Sequence, residues 1–310
     1  MIAFVFPGQA SQFVGMGRSW AESSNIAAKY MDRANEVLGR DLKRTCFEGP
    51  EEDLTDTRNQ QPAIYVVSCM AAALLKKEGL EPGFVAGHSV GEYAALYAAG
   101  VFDFESGLQL VQARADAMAE TAAAHPGTMA AVIRLDRVVI EASCAEIESN
   151  GEGILSVAGY NSPDQTVISG TREMIEEAQS VLKDKGAKRV LPLSVSGAFH
   201  SALMTEARVQ LEEAIEEVDF APPKIPFVSN NTAKPEADPS AIKVQLAKQL
   251  VSPVRWVETM EFLKGEGVEA CIEAGPGKVL QGLFAKFNPD WPCESLTDFA
   301  SIQETAGKYR

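Results

Sequence analysis

Ser89 stands in Gly87-His88-Ser89-Val90-Gly91, where residue types and spacing first suggest covalent chemistry. An apolar run, Gly83-Phe84-Val85-Ala86, leads into this G-x-S-x-G, and an alanine-rich stretch from Glu92 to Ala99 follows it. A strand, a glycine-flanked turn and a helix in that order form a nucleophile elbow, which lifts the hydroxyl out at the carboxyl end of the strand. The helix start then points unpaired N–H groups at any oxyanion formed there. A serine hydroxyl also needs a base, most often histidine, and the chain has three histidines. His88 adjoins the serine, and neighbouring side chains diverge on such a turn, so it is a weak competitor. His125 precedes Pro126 and reads as a surface residue. His200, in Ser196-Gly197-Ala198-Phe199-His200-Ser201, lies on a small-residue loop suited to a cleft and is the expected base. Its imidazole needs an orienting partner. Chain order admits a carboxylate between Ser89 and His200, none stands out, and a backbone carbonyl would serve as well.

Two further groups complete the candidate chemistry. Phe6-Pro7-Gly8-Gln9 closes the first apolar run, and the Gln9 N–H with that of Val90 would make an oxyanion hole. Arg114 sits among small apolar residues in Leu110–Met118. Such an arginine either pairs with a carboxylate of the protein or faces a pocket, where its planar fork would hold a substrate carboxylate. Other motifs fail. Gly275-Pro276-Gly277-Lys278-Val279 lacks the Ser or Thr of a phosphate loop, and no H-E-x-x-H or G-x-G-x-x-G occurs.

The elements that must position these residues follow from periodicity and from glycine and proline punctuation. Strands are expected at 2–6, 84–86, 225–228 and 268–272. Helices are expected at 20–38, 61–78 (with Pro62 near its first turn), 92–99, 104–124, 202–218, 239–250, 256–263 and 279–287. This alternation predicts a parallel sheet covered on both faces. After His125-Pro126-Gly127 the rhythm becomes β-α-β-β-α-β: strands 129–133, 154–160, 165–169 and 188–194, with helices 137–148 and 171–185, the latter begun by Thr171. The expected fold is therefore α/β. A large parallel-sheet domain spans 1–125 and 198–310, and a small ferredoxin-like domain is inserted at 126–197.

Bulk properties narrow the function classes. With 310 residues and 46% hydrophobic content, the chain can build a large core. The longest apolar stretch, 63–75, is too short to cross a bilayer, which needs about 20 residues. Met1–Phe6 reads as a strand rather than a targeting segment, so a cytoplasmic protein is expected. The five cysteines, Cys46, Cys69, Cys144, Cys271 and Cys293, are scattered without a C-x-x-C pair, so neither a metal site nor a disulfide framework is expected. A net charge of −15 argues against nucleic-acid binding.

Taken together and in order, these motifs resemble the malonyl-CoA:acyl carrier protein transacylase family over essentially the whole chain. The resemblance also covers Gln249 in Gln249-Leu250-Val251-Ser252-Pro253-Val254-Arg255-Trp256, and Glu273-Ala274-Gly275-Pro276-Gly277. The family's fold is a hydrolase-like α/β domain with a ferredoxin-like insert. The resemblance implies that Ser89 is acylated, that His200 is base and then acid, and that the Gln249 carbonyl orients His200. It also implies an oxyanion hole of Gln9 and Val90, and Arg114 on the malonyl carboxylate. Phe199 before the histidine, with Val90, goes with malonyl rather than methylmalonyl in similar domains. Ala10 departs from the glycine usual after the glutamine.

The expected activity is ping-pong transfer of malonyl from coenzyme A to the phosphopantetheine thiol of acyl carrier protein in fatty acid biosynthesis. No permanently bound cofactor is expected, and no membrane partner. The chain is expected to act as a monomer. The alternatives are a serine hydrolase or thioesterase, a catalytically silent carrier-docking module, and a trans-acting acyltransferase of a polyketide synthase. Carrier proteins are acidic, so a local basic patch is needed for docking. Lys183, Lys185, Lys188 and Arg189 are the candidates, with a solvated helix end as the plain alternative.

Overall fold

A computed structural model describes all residues, Met1–Arg310. Two sheets organise it. The ten strands are β1 Ile2–Phe6, β2 Phe84–Gly87, β3 Thr128–Ile133, β4 Leu155–Ser162, β5 Gln165–Gly170, β6 Arg189–Pro192, β7 Phe227–Val228, β8 Pro235–Glu236, β9 Ala270–Glu273 and β10 Cys293–Ser295. The larger sheet has the order β10-β9-β1-β2-β7-β8. All its pairings are parallel except the short edge pair β7–β8.

β1 shows why the sheet is covered on both faces. All five residues are buried, and their alternation splits them between two cores. Ile2, Phe4 and Phe6 join the principal cluster, while Ala3 and Val5 join a second cluster around Trp256 and Phe284. β1 pairs with β2 from Ala3↔Phe84 to Phe6↔Gly87. The chain therefore leaves both strands side by side, bringing Pro7-Gly8-Gln9 next to His88-Ser89. The carboxyl ends of parallel strands are where open α/β sheets bind ligands.

The smaller sheet is fully antiparallel in the order β4-β5-β3-β6. With one helix after β3 (Arg137–Asn150) and one after β5 (Arg172–Asp184), this is the ferredoxin-like arrangement. β3 again alternates. Ala130 and Val132 pack toward the two helices, while Met129 and Ala131 face the other way, into a cavity between the sheets. The segment after Gln249 is stitched to this sheet. Val254 N–H donates to Ala158 O, and Val254 O accepts from Tyr160 N–H, each at 2.9 Å.

Several expectations need correction. The helix expected at 20–38 is two, Arg18–Ser23 and Asn25–Leu38, separated where Ser24 turns extended. The helix with Pro62 begins four residues earlier than expected, at Thr57, so the proline is interior. Pro62 cannot donate to the carbonyl of Arg58, and Arg40 Nη2 takes that carbonyl instead at 2.7 Å. Thr171 precedes its helix but makes no capping hydrogen bond. The stretch 239–250 ends as α-helix at Lys248 and tightens to a 3-10 turn over Gln249–Val251. Helices Leu42–Glu48, Glu51–Thr55 and Phe299–Tyr309 and the strands β8 and β10 were not anticipated. All five cysteines are buried and unpaired. No helix is long and apolar enough to cross a membrane.

Candidate active site

The sharp turn after β2 depends on close backbone approach. A Cβ on Gly87 would lie 2.0 Å from the carbonyl carbon of Gly91, and one on Gly91 would lie 2.2 Å from Phe6 O. Any side chain at either position would force the strand and the helix Gly91–Ala98 apart. The left-handed conformation is carried by the serine itself, with φ 53° at Ser89. Such a backbone costs on the order of 1–3 kcal/mol in a non-glycine residue and persists only where its surroundings hold it. Asn230 does the holding. Its Oδ1 accepts the Ser89 N–H at 2.8 Å, and its Nδ2 donates to Gly87 O.

His200 is brought to Ser89 by the loop after β6 and is also left-handed, at φ 58°. Ser89 Oγ and His200 Nε2 are 2.8 Å apart, and His200 Nδ1 is 2.8 Å from the backbone oxygen of Gln249. That oxygen can only accept, so Nδ1 carries the proton. Nε2 is left with the lone pair that receives the serine hydroxyl proton. The carbonyl thus fills the orienting role, one of the two options left open by the sequence. Burial, reinforced by the charge of Arg114, holds the imidazole at a pKa of about 3. At neutral pH it is an unprotonated base.

Arg114 comes from the long helix Phe104–Ala124, capped by Asp103 on the Ser106 N–H. It is wholly buried and forms no ion pair. Nη2 donates to Ser89 Oγ and to Gln249 Oε1, both at 3.0 Å, Nη1 donates to Gln61 Oε1, and Nε has no partner. The arginine pairs with no carboxylate of the protein, and its Nη2 faces the serine hydroxyl.

The amides of Gln9 and Val90 donate to no protein acceptor. Val90 opens the helix Gly91–Ala98, and Gln9 lines the cavity. Val90 itself is fully buried, and the Gln9 side chain donates from Nε2 to Gln60 Oε1 at 2.6 Å, with both glutamines on the cavity lining. His88 is not the base: its Nε2 is 2.9 Å from Asn161 Oδ1 and its ring packs edge-on against Trp256. His125 is half-exposed beside Glu206. Ala10, exposed at φ 76°, carries the strain expected where a glycine is usual.

The cavity has a volume of about 430 Å³ and lies between the two sheets. Ser89 and His200 line one side. Met129, Ala131, Ala158 and Val167 of the small sheet line the other, with Leu193, Val195 and Phe199. Val279, Leu280 and Leu283 close a further edge. Their helix is fixed by the Glu273 carboxylate, which accepts the N–H groups of Leu280 at 3.0 Å and Gln281 at 2.8 Å. A second hollow, about 490 Å³, lies beside Trp291 and Lys278 and holds none of these reactive groups. No cluster of His, Cys, Asp or Glu is gathered to hold a metal ion. The expected docking residues Lys183, Lys185, Lys188 and Arg189 are all exposed, and Lys185 is engaged with Glu146 at 3.1 Å.

Sequence reasoning gave Glu92 and Asn230 no role. Glu92 reads as an ordinary acidic residue in the first turn of a helix, and Asn230 as a turn residue in Ser229-Asn230-Asn231. Both are buried against the elbow.

Comparison with known proteins places this geometry in a family. Residues 3–286 match the acyl transferase domain. The chain is 42% identical over 302 residues to the malonyl CoA-acyl carrier protein transacylase of Bacillus subtilis, covering 97% of this chain and 95% of that protein. Its fold superposes on the malonyl CoA-acyl carrier protein transacylase of Coxiella burnetii with a TM-score of 0.96 at 34% identity, covering 99% and 97% of the two chains. It also superposes on a malonyl-transacylase in complex with a type II polyketide synthase acyl-carrier protein, with a TM-score of 0.95 at 38% identity and 99% of each chain covered.

Proposed function

The chain belongs to the acyl transferase domain family, and on that premise we propose that it moves malonyl from coenzyme A to the phosphopantetheine thiol of acyl carrier protein through a malonyl-serine at Ser89. The observation that carries this reading is the shared position of Ser89 Oγ, 2.8 Å from His200 Nε2 and 3.0 Å from Arg114 Nη2. One group can take the hydroxyl proton and the other is a cation suited to a free carboxylate on the acyl group.

In the first half-reaction the serine proton passes to His200 Nε2 as the Oγ–carbonyl bond forms. The amides of Gln9 and Val90 stabilise the tetrahedral oxyanion. Collapse breaks the carbon–sulfur bond, and His200 returns the proton to the coenzyme A sulfur. In the second half-reaction the carrier thiol gives its proton to His200 and attacks the malonyl ester, and Ser89 leaves with that proton restored. The Gln249 carbonyl keeps the imidazole in the required tautomer. The guanidinium of Arg114 favours malonyl over acetyl through a charge-assisted pair. Phe199, on the cavity wall, occupies the room an α-methyl group needs.

The reading extends to organisation and partners. Residues 126–197 form a small inserted domain, 1–125 with 198–310 form the large one, and the chain acts as a cytoplasmic monomer. The carrier docks near Lys183, Lys185, Lys188 and Arg189, the last of which opens β6, which leads into Leu193 and Val195 on the cavity wall. The pathway is fatty acid biosynthesis. A polyketide role is the second reading, favoured by the likeness to a transacylase bound to a polyketide carrier protein. Hydrolysis is the rival reaction with the same elbow.

Transfer of radiolabelled malonyl from coenzyme A to purified carrier protein, with acetyl- and methylmalonyl-CoA alongside, tests the proposal. Label on the carrier from malonyl-CoA above all is expected. Label released as free acid, with none on the carrier, would establish a hydrolase.

A further inference from the structure

One ionisable group beside Ser89 has no part in the transfer steps. Glu92 is 2% exposed, in the first turn of the helix that follows the elbow. It falls in the interval, between Ser89 and His200, where a triad carboxylate was sought, yet it does not touch the imidazole. Its Oε1 accepts the Asn230 N–H at 2.8 Å, and its Oε2 accepts from Gln249 Nε2.

Each partner holds a reacting group by its other end. Asn230 pins the Ser89 N–H and the Gly87 carbonyl. Gln249 holds His200 through its backbone oxygen and, through Oε1, accepts from Arg114 Nη2 at 3.0 Å. The Gln249 side chain also donates from Nε2 to Ser89 O at 3.0 Å. The Gln249 amide therefore stands between a guanidinium and a carboxyl group, with its oxygen toward the first and its nitrogen toward the second. Hydrogen bonds in such a chain reinforce one another, and the flipped amide would set donor against donor at the guanidinium and acceptor against acceptor at the carboxyl group.

Stability does not account for a carboxyl group at this place. Burial pushes the Glu92 carboxyl up to about 7, against the hydrogen bonds from Asn230 and Gln249 and the nearby charge of Arg114. A buried carboxyl is costly unless its oxygens are satisfied. Both are satisfied here by residues that hold the reactive groups.

We infer that Glu92 is a positioning residue: its two oxygens fix Asn230 and Gln249, and through them the serine elbow, the imidazole and the Arg114 fork in one arrangement. This rests on the transfer reading above. A glutamine at 92 keeps the size but places an NH2 against one of two donors, so one arm of the relay is lost. An alanine at 249 keeps the backbone carbonyl on His200 and removes only the side-chain relay.

The test measures kcat and KM for malonyl transfer, together with melting temperature, for Glu92→Gln, Gln249→Ala and the double variant. Misplacement of reacting groups on this scale lowers turnover on the order of 10–100-fold. Each single variant is expected to lose kcat by that factor with KM for the carrier protein unchanged. Glu92→Gln is expected to melt at or above the wild type, and Gln249→Ala, which leaves Glu92 Oε2 without its donor, is expected to melt lower. The double variant is expected to be no worse than the poorer single one, because both cut the same relay. Wild-type kcat in Glu92→Gln, or losses that multiply in the double variant, would overturn the inference. If Glu92→Gln does not fold, Gln249→Ala decides alone: lost kcat with unchanged KM for the carrier protein in the folded variant supports the inference, and wild-type kcat overturns it. A wild-type protein that transfers no malonyl would instead refute the transfer reading, and the inference with it.

Discussion

The two walls of the cavity between the sheets are built on opposite principles. The wall around the turn after β2, completed by His200 from the loop after β6, is polar, strained and over-determined. Ser89 and His200 both sit at positive φ, and each is held by a dedicated partner. The facing wall, from the small sheet, is relaxed and apolar, with Met129, Ala131 and Val167 on regular strands. The contrast separates two tasks. The first wall places a nucleophile, a base and a cation within hydrogen-bond reach. On the proposed transfer, the second would exclude water and set the shape of the acyl group. Substitutions on the first should therefore change rate, and those on the second should change selectivity.

The largest effect should follow removal of the nucleophile. Ser89→Ala is expected to lower transfer by at least about 10⁴-fold in a steady-state assay, while melting stays near that of the wild type. Arg114→Ala comes next. Truncating one partner of a buried charge pair costs about 2–5 kcal/mol, roughly 30- to 5,000-fold in malonyl transfer, with acetyl transfer spared. Equal losses for both acyl groups would make Arg114 structural and blur the division between walls. Phe199→Ala should act on selectivity instead. A methyl-sized pocket is worth about 1–3 kcal/mol, so the ratio of methylmalonyl to malonyl turnover should rise by roughly 10-fold or more in a competition assay.

The pH dependence sharpens the same comparison. With the His200 pKa held near 3 by burial and by Arg114, kcat/KM should show no inflection at the ordinary histidine value of about 6.5. The sign for stability follows from linkage. The folded state binds fewer protons at His200 than the unfolded chain, so its contribution is intact above about 6.5 and is lost as pH falls toward 3. The melting temperature of His200→Asn should therefore gain on that of the wild type below pH 6.5. Glu92 and Glu273, raised to about 7 by burial, run the other way. Their contribution is full below the unfolded carboxyl value of about 4.3 and is lost as pH rises toward 7.

The smallest effect belongs to Ala10, at φ 76°. Glycine there relieves about 1–2 kcal/mol of left-handed strain, offset by roughly 0.4–1 kcal/mol of added freedom in the unfolded chain. Ala10→Gly should stabilise by about 0.5 kcal/mol in denaturant unfolding without changing turnover.

How far the molecule could be read from its sequence divides along similar lines. The elbow was legible because Gly87, Ser89 and Gly91 stand between a strand and a helix, and steric need fixes those glycines. The small sheet was legible because its β-α-β-β-α-β rhythm changes period at each element. His200 emerged by elimination among three histidines. The residues that hold these groups were not legible. Glu92 and Asn230 act through side-chain contacts more than 130 residues apart, and no local spacing encodes such a pairing. Helices Leu42–Glu48 and Glu51–Thr55 were missed because they are short and polar, with few buried positions to mark a face. β10 was missed because three residues after Pro292 carry no alternation. The interior place of Pro62 depends on Arg40 replacing a lost hydrogen bond, which is a tertiary compensation.

Mass analysis of the peptide carrying Ser89, after brief mixing of the protein with malonyl-CoA and acid quench, reads the transfer step itself. Acylation through the serine–imidazole pair predicts a malonyl adduct on Ser89 that disappears when carrier protein is added and never forms in Ser89→Ala. Full turnover to the carrier with Ser89 unmodified throughout would contradict it.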